Sequence, residues 1–279
     1  MAGGKVKSVK KNWGMEKQRK RGKMGELKGI YAIWYRELKV FSRETSRIVS
    51  SIFSPILWLL IIGGGIGSVV SFSGVSYQTF IFPGVLVQSV LFTSIFFGLY
   101  IVWDRKIDFL KEVLVAPLSR TSIFVGKMLG GATDSLIQIV ILLAIGFALT
   151  QLGFMQGLNL NPVSVALSII ILFITTVGMV SIGLIIGSRM ESLEGFQVVS
   201  SFLIFPMFFL SGALFPIENL PSWLEPIVFI DPITYSVDAL RGVLLGIHTF
   251  SLAFDIAVIS VFALAAIFVG TIAFRKMNL

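Results

Sequence analysis

The sequence of 279 residues contains no cysteine and a single histidine, His248. Disulfides, thiolate metal sites and a cysteine nucleophile are therefore excluded, and one imidazole cannot form a histidine metal cluster. Charged side chains are also scarce, at 14% of the residues against about 25% in soluble domains. This composition argues against enzymatic chemistry and against a water-soluble globule.

The missing charges leave two blocks that are too long for any element of a soluble core. No Asp, Glu, Lys or Arg occurs from Ile48 to Trp103 or from Ser135 to Ser188. Hydrophobic residues make up 55% of the chain and include 25 Phe. Because a helix needs about 20 apolar residues to cross about 30 Å of hydrocarbon, each block is predicted to contribute to more than one membrane span.

The sequence thus predicts an all-α polytopic membrane protein with six transmembrane helices. Polar breaks at 71–78 and 151–162 separate apolar stretches within the two blocks. Two glycine pairs, Gly63 with Gly67 and Gly183 with Gly187, have the small-xxx-small spacing that lets helices approach closely. The predicted spans cover about residues 49–70, 79–103, 122–149, 163–187, 195–215 and 252–274.

Positive charge is concentrated at the beginning of the chain. Residues 1–47 hold 14 Lys or Arg against 4 Asp or Glu, whereas residues 48–279 hold 9 against 11. Residues 1–25 are predicted to be a disordered basic tail, followed by a single transmembrane domain over 26–279. Met24 is a candidate native start, with the preceding stretch as a dispensable extension. A basic tail can bind nucleic acid, but no domain with interleaved aromatics surrounds this one, so membrane lipid is the expected partner.

The loops give the orientation of the spans. Six spans place both termini on one side, and the opposite loops hold only Arg241 and the titratable His248 as basic residues. Since Lys and Arg accumulate in cytoplasmic loops, both termini are predicted to be cytoplasmic. The basic loop residues on the side of the termini are Arg105, Lys106, Lys111, Arg120, Arg189, Arg275 and Lys276.

An amphipathic helix is predicted before the first span. At 100° per residue, one narrow arc of this helix is apolar and the basic residues lie away from it. Two placements are open: the helix lies on the cytoplasmic membrane surface, or its stripe packs on another subunit. The arc consists of Leu27, Ile30, Tyr31, Trp34, Leu38, Phe41 and Thr45.

A charged helix is predicted between the second and third spans, from Asp104 to Ala116, with Pro117 stopping it. Its apolar side includes Leu110. Two interpretations are open: a solvated loop helix, or a lever that docks into a separate soluble protein. The charged side consists of Asp104, Arg105, Asp108, Lys111 and Glu112.

Proline interrupts the segment between the fifth and sixth spans. Two short helices are expected there, the second with Asp231 as its cap, Pro232 in its first turn and Gly246 at its end. The apolar face of this second helix predicts that it dips back into the outer leaflet, and Asp238 and Arg241 are spaced for a local ion pair. The prolines are Pro216, Pro221, Pro226 and Pro232.

Few motifs in the chain carry chemistry. No G-x-x-x-x-G-K-[ST] occurs, so the chain does not bind ATP through that loop, and neither H-E-x-x-H nor G-x-S-x-G is present. Asp134 is the one acid deep in a clean span, with Lys127 seven residues earlier and Gln138 four residues later on the same face. Structural pairing and a substrate or conformational role are both open for Asp134 and Gln138.

Two strings resemble a known family. The stretches DRKIDFLKEVLVAPLSRTSIFVGKMLGG, Asp104 to Gly131, and LSGALFPIENLPSWLEPIVFIDPITYSVDALRG, Leu210 to Gly242, are similar to the paired hallmarks of the type-2 ABC exporter permeases. This family includes daunorubicin-resistance and polysaccharide-export permeases. The resemblance covers about Glu26 to Leu279, and residues 1–25 depart from it.

The resemblance implies a multi-pass permease of the prokaryotic plasma membrane that works with a second permease copy, identical or paralogous. The ATPase would be a separate polypeptide that holds ATP and Mg, so no cofactor is expected on this chain. An amphipathic, drug-like, lipid or polysaccharide-type substrate would be exported. The implied coupling helix carries Asp104, Arg105, Asp108, Leu110, Lys111 and Glu112, and the implied outer re-entrant gate carries Pro216, Pro221, Asp231, Pro232, Asp238 and Arg241.

Two other classes of function remain as alternatives. An ion-coupled secondary transporter needs intramembrane acids or broken helices near the middle of the membrane, and only Asp134 meets that requirement. An intramembrane enzyme lacks a catalytic constellation. A neighbouring gene with a phosphate-binding loop would separate the exporter from both.

Overall fold

The computed structural model describes residues 25–67, 71–72, 74–108, 118–217 and 220–277. The predicted basic tail, apart from Gly25, and the 109–117 part of the charged segment lie outside the described residues. Nearly all of the described secondary structure is helical. Two short strands, β1 (Ser71–Phe72) and β2 (Val75–Ser76), pair antiparallel, with Ser71 opposite Ser76.

Six helical segments are long and apolar enough to cross a membrane: Thr45–Gly67, Tyr77–Lys106, Arg120–Gln151, Pro162–Arg189, Leu193–Leu210 and Leu252–Arg275. The prediction of an all-α protein with six spans is confirmed, and each span begins within four residues of its expected start. In chain order the helices are α1 (25–43), α2 (Thr45–Gly67), α3 (Tyr77–Phe96), α4 (Leu99–Lys106), α5 (Arg120–Gln151), α6 (Pro162–Arg189), α7 (Leu193–Leu210), α8 (Glu225–Ile230), α9 (Pro232–Leu245) and α10 (Leu252–Arg275).

Polar caps explain where most of the long helices start. Each of these caps accepts an N–H of the first turn, which satisfies a donor that the helix itself cannot. The fifth span ends at Leu210 rather than near Phe215, because Gly212 adopts a φ of 75° that leaves the helix. The capping residues are Ser76, Ser119, Asn161, Ser192, Asp231 and Ser251.

The second span forms the centre of the bundle. Within the chain, 72% of its apolar stretch is buried, against 17% for the first span and 22% for the fifth. Gly98 lies so close to α6 that a Cβ there would clash with the carbonyl of Gly183, and a Cβ at Gly187 would clash with the carbonyl of Gly98. The close approach predicted from the spacing of Gly183 and Gly187 is therefore confirmed.

Helix α1 packs on the third span of its own chain. Ile33 and Glu37 lie against Gly126 and Gly130, where any Cβ would collide with them. The predicted apolar stripe is only partly covered, since Leu27 remains 66% exposed. The glycines of α5 thus bring α1 close enough for Glu37 to reach the interior.

The predicted helix from Asp104 to Ala116 is wrong at its beginning. The helix of the second span continues through Asp104 to Lys106, and Asp108 adopts a φ of 58° that ends it. Asp104 is 2% exposed rather than on a solvent-facing side. The reason is electrostatic, because its carboxylate is paired with the buried ammonium of Lys127.

Candidate functional site

A cavity of about 410 Å³ lies between the first, second, third and fifth spans. Its lining contains a group of aromatic residues and a group of polar residues, which we call the aromatic wall and the polar wall, so the cavity is amphipathic. The aromatic wall consists of Trp58, Phe92, Phe96, Phe205, Phe208 and Phe209. The polar wall consists of Arg47, Ser50, Ser51, Ser54, Gln88, Ser89, Thr93 and Gln138.

The aromatic wall is built by ring contacts between spans. Trp58 of α2 meets Phe208 of α7 edge to face, with ring centroids 5.8 Å apart. Phe92 of α3 meets Phe205 of α7 in the same way, also at 5.8 Å. Aromatic rings prefer this edge-to-face arrangement to a direct face-to-face stack. The fifth span therefore contributes one side of the cavity although little of it is buried.

The polar wall is organised by Gln138. Its amide Nε2 donates to the carbonyl of Ser51 at 2.7 Å, and its Oε1 accepts from the Thr93 hydroxyl at 2.6 Å. Gln138 of α5 thus links α2 and α3 at the cavity. Gln88 also lines the cavity, and its buried Oε1 has no hydrogen-bond partner among the described residues.

Asp134 lies beyond Gln138 and pairs with Arg47, which lines the cavity. Arg47 Nη2 is 3.6 Å from Asp134 Oδ2, and the guanidinium lies 4.8 Å above the ring of Tyr100. Arg47 also donates to the Tyr100 hydroxyl, which donates to Glu44. Lys127 and Gln138, which share a helix face with Asp134, have other partners, so the structural pairing that the sequence leaves open for Asp134 is with Arg47. Asp134 is 1% exposed, and its Oδ1 has no hydrogen-bond partner among the described residues.

Four charged residues form a buried cluster where α1, α4 and α5 meet. Lys127 Nζ lies 2.6 Å from Asp104 Oδ2 and 3.0 Å from Glu37 Oε1. Arg36 closes the cluster, with contacts of 2.8 Å to Glu37 and 3.0 Å to Asp104. Two cations thus meet two carboxylates, and we call this set the four-charge cluster. Its balance explains why these groups are tolerated at 1–2% exposure for all but Arg36.

Sequence reasoning missed Glu37. A signal for it is present, because Glu37 falls at the edge of the apolar arc, next to Ile30 on the helical wheel. An acid at this edge reaches a neighbouring helix when the arc packs against one. The identity of that neighbour, Lys127, depends on packing across 90 residues of chain.

The remaining residues of the predicted coupling helix have different positions. Arg105 donates to the carbonyls of Met190 and Ser188 at 2.7 and 3.1 Å, which fixes the end of α4 to the end of α6. Asp108 lies in the exposed turn that follows α4. Leu110, Lys111 and Glu112 lie outside the described residues. A role of this segment in binding an ATPase stays a prediction.

At the opposite end of the bundle, Asp231 caps α9 as the sequence predicts. Its Oδ1 accepts the N–H of Ile233 at 2.9 Å, Pro232 is the first helical residue, and Gly246 ends the helix with a φ of 72°. Burial raises the pKa of Asp231 to about 7, although the N–H of Ile233 lowers it. Pro216 and Pro221 lie outside helices. That this hairpin re-enters a membrane as a gate stays a prediction.

Asp238 and Arg241 of α9 both bind groups outside their own helix. The Asp238 carboxylate accepts the N–H groups of Thr249 and Phe250 at 2.8 to 3.0 Å. Arg241 donates to the carbonyl of Gly212 at 2.8 Å and lies 4.0 Å from the ring centre of Phe80. These contacts fasten α9 to the chain before α10, to Gly212 and to the second span, and the local ion pair stays a prediction.

Six helices that are long and apolar enough to cross a membrane, with an amphipathic cavity between four of them, indicate a multi-pass membrane protein. The model of the ABC-2 type transporter family matches residues 28–245, and the chain belongs to this family. The resemblance read from the two sequence strings is thereby confirmed.

Curated relatives agree with this membership. The chain is 26% identical over 249 residues to nodulation protein J of Rhizobium leguminosarum bv. viciae, covering 88% of this chain and 93% of that protein. It is 28% identical over 244 residues to the inner membrane transport permease YadH of Escherichia coli K12, covering 85% and 90%. It is 28% identical over 220 residues to the putative transport permease ycf38 of Cyanophora paradoxa, covering 77% and 73%.

Proposed function

We propose that this chain is the membrane subunit of an ATP-driven exporter that moves an amphipathic molecule of drug-like, lipid or polysaccharide type out of the cytoplasm. The two-walled cavity carries this proposal. Its aromatic wall suits an apolar part of a substrate, and its hydroxyl and amide groups suit a polar part, as in most small-molecule sites. A cavity lined by both kinds of group favours molecules that have an apolar part and a polar part.

The cavity lies between the two spans that are least buried within the chain, the first and the fifth. Their exposed faces are covered by lipid or by a second permease copy, either identical or paralogous. Under this proposal a substrate from the lipid would enter between α2 and α7. The second copy would close the pathway that the single chain leaves open.

ATP and Mg would be held by a separate subunit, because the sequence contains no phosphate-cradling loop. We place that subunit at the α1 end, in the cytoplasm of a prokaryotic cell, with both termini on that side. The segment 109–117 follows α4 directly, and α4 is fixed by the four-charge cluster. Movement of the segment would thus be passed to the second and third spans and would favour one of two access states.

Transport into proteoliposomes tests the proposal. The chain is reconstituted with its ATPase, and a fluorescent phospholipid analogue serves as the probe. Ser54→Trp places a large ring in the cavity and is expected to reduce ATP-dependent movement at least tenfold. Val261→Trp adds the same ring at a 67% exposed position on the sixth span and is expected to leave transport within twofold of wild type.

Two outcomes contradict this function. Equal transport by Ser54→Trp and Val261→Trp would remove the cavity from the pathway. Transport that continues without ATP and stops with a proton ionophore would instead favour the ion-coupled secondary transporter.

The charged segment needs its own test, because it is open to two interpretations. If Glu112 docks into the ATPase, Glu112→Lys should cost about 2 to 5 kcal/mol of interface stability and reduce cargo-stimulated ATP hydrolysis. If the segment is a solvated loop, the same change costs under about 1 kcal/mol and hydrolysis stays at the wild-type rate. Co-purification with the ATPase measures the interface directly.

A further inference from the structure

A second cavity, of about 270 Å³, lies at the end of the bundle opposite α1. It is enclosed by α9 and by the first turns of α6 and α10. Its polar lining is formed by Ser164, Asp238, His248 and Asp255. We call it the far-end cavity. It shares no lining residue with the amphipathic cavity and has no part in the proposed transport cycle.

Asp238 lines this cavity, and backbone N–H groups of the same chain stabilise its carboxylate. It is 2% exposed and accepts three backbone hydrogen bonds, from the N–H of Thr249 to both oxygens and from the N–H of Phe250. Hydrogen bonds of this kind favour the charged form of a carboxyl group. One negative charge of the cavity is therefore held in place by the backbone.

Asp255 is in the opposite situation. It is 0% exposed, lies in the first turn of α10, and neither carboxylate oxygen has a hydrogen-bond partner among the described residues. The described lining of the cavity contains no Lys or Arg. A buried carboxylate without a donor is costly and is rare in native proteins. Among the described residues nothing donates a hydrogen bond to Asp255, so its oxygens are open to a donor from outside the described chain.

The chemistry of the lining restricts what that group is. Two carboxylates and a hydroxyl call for a positive charge. In the part of the chain that the structure describes, no three His, Asp or Glu side chains are grouped as ligands of a metal ion. Direct coordination of a bare metal is thereby disfavoured, whereas a cavity of this size holds an ammonium group or an ion with its water shell.

We propose that the far-end cavity binds a small cation that donates hydrogen bonds to Asp255. The cation is either a primary ammonium group or a hydrated metal ion, since both present N–H or O–H donors around a positive charge. Bound there, it would link α9 to the starts of α6 and α10 and stabilise this end of the bundle.

Thermal unfolding of the purified full-length chain in nanodiscs of zwitterionic lipid tests the proposal. Ethylammonium chloride, magnesium chloride and tetramethylammonium chloride are compared at equal ionic strength and pH 7.5. Ethylammonium or magnesium is expected to raise the Tm by several degrees in a saturable manner. Tetramethylammonium, with the same charge but no N–H, is expected to have no saturable effect. A response to ethylammonium alone identifies the ammonium source, and a response to magnesium identifies the hydrated ion.

Two variants locate the site. In Asp255→Asn, the cation concentration that gives half of the maximal Tm rise is expected to be at least tenfold higher than in wild type. Asp134→Asn is the matched control, because Asp134 is also buried with an unpartnered oxygen but lies on the third span away from the cavity. It is expected to respond like wild type. Retention of the rise in Asp255→Asn, or its equal loss in Asp134→Asn, would overturn the proposal.

A measurement on the wild-type chain keeps the test independent of folding in the variants. His248 is the only histidine of the protein, is exposed, and lines the far-end cavity. The responding cation is expected to slow its modification by diethylpyrocarbonate at least threefold, with tetramethylammonium as the control. An unchanged rate, or the absence of a Tm response to both ethylammonium and magnesium, would refute the cation site and leave the transport proposal unaffected.

Discussion

Buried charge is arranged differently at the two ends of the bundle. Where α1, α4 and α5 meet, Lys127 contacts two carboxylates, and Arg36 closes the set. In the far-end cavity, Asp238 is held by backbone N–H groups, while Asp255 has no donor among the described residues. The first arrangement is complete within one chain. The second leaves Asp255 without a donor in the described part of the chain, and this difference predicts opposite responses to neutralising substitutions.

The largest effect is expected from Lys127→Met. The substitution leaves Glu37 and Asp104 buried beside each other with only Arg36 to balance them, and breaking a buried pair in this way costs about 3 to 5 kcal/mol. Unfolding of the chain in mixed micelles measures the loss. Lys106→Met makes the same replacement at an exposed position and should cost under about 1 kcal/mol.

A second substitution sharpens this result. In Lys127→Met with Asp104→Asn, one carboxylate has been neutralised together with the cation, so part of the lost stability should return. Equal stability of the single and double variants would show that packing of the Lys127 stem, rather than charge balance, holds this end together.

The sequence determines the spans far better than it determines these pairs. The limits of the charge-free blocks and the caps at Asn161 and Asp231 are local features, and they place helix ends within a few residues. The partner of Lys127 is Glu37, and the partner of Asp134 is Arg47, each almost 90 residues away. Such contacts arise from how helices pack. A helical wheel places Glu37 at the edge of the apolar arc but cannot name its partner.

The same limit applies to the two cavities. Phe205 and Phe208 look like any apolar residues of a span in the sequence, and only the packing of α7 against α2 and α3 turns them into a cavity wall. Asp255 likewise reads as an ordinary acid in the first turn of a helix. Its missing donors become apparent once α6 and α9 are packed around it.

Asp231, at the start of α9, makes stability at the end of the bundle opposite α1 depend on pH. Its pKa is about 7 in the folded chain, against an ordinary value of 3.8. Between these values the folded carboxyl keeps a proton that the unfolded chain loses, so stability should fall as the pH rises from about 4 to 7. The loss is at most about 4 kcal/mol at 1.36 kcal/mol per unit.

Asp231→Asn keeps an oxygen for the N–H of Ile233 and removes the titration. Its Tm should therefore fall less than that of wild type between pH 4.5 and pH 7.5. Glu225→Gln, at an exposed position on α8, should keep the wild-type slope. Parallel slopes for wild type and Asp231→Asn would contradict the raised pKa.

A smaller loss is expected from Asp238→Asn. The amide retains one acceptor oxygen but loses the charge that strengthens the hydrogen bonds from Thr249 and Phe250, at a cost of about 1.5 to 3 kcal/mol. Because these bonds fix the chain just before α10, amide hydrogen exchange at Thr249 and Phe250 should accelerate. Unchanged exchange at both positions would show that the carboxylate does not order this connection.

The smallest effect, and the one of opposite sign, is expected from Asp255→Asn. In buffer whose only cation is tetramethylammonium, the wild-type carboxylate is buried without a donor, so removing its charge should stabilise the chain by up to about 1 kcal/mol. The amide leaves polar atoms unpartnered in the same place, which limits the gain. Unfolding in that buffer measures the gain in stability. Asp134→Asn is the contrasting variant: it removes the carboxylate that pairs with Arg47, so its stability should fall. A clear loss in Asp255→Asn would mean that its carboxylate is already stabilised by the chain, and the difference between the two ends would disappear.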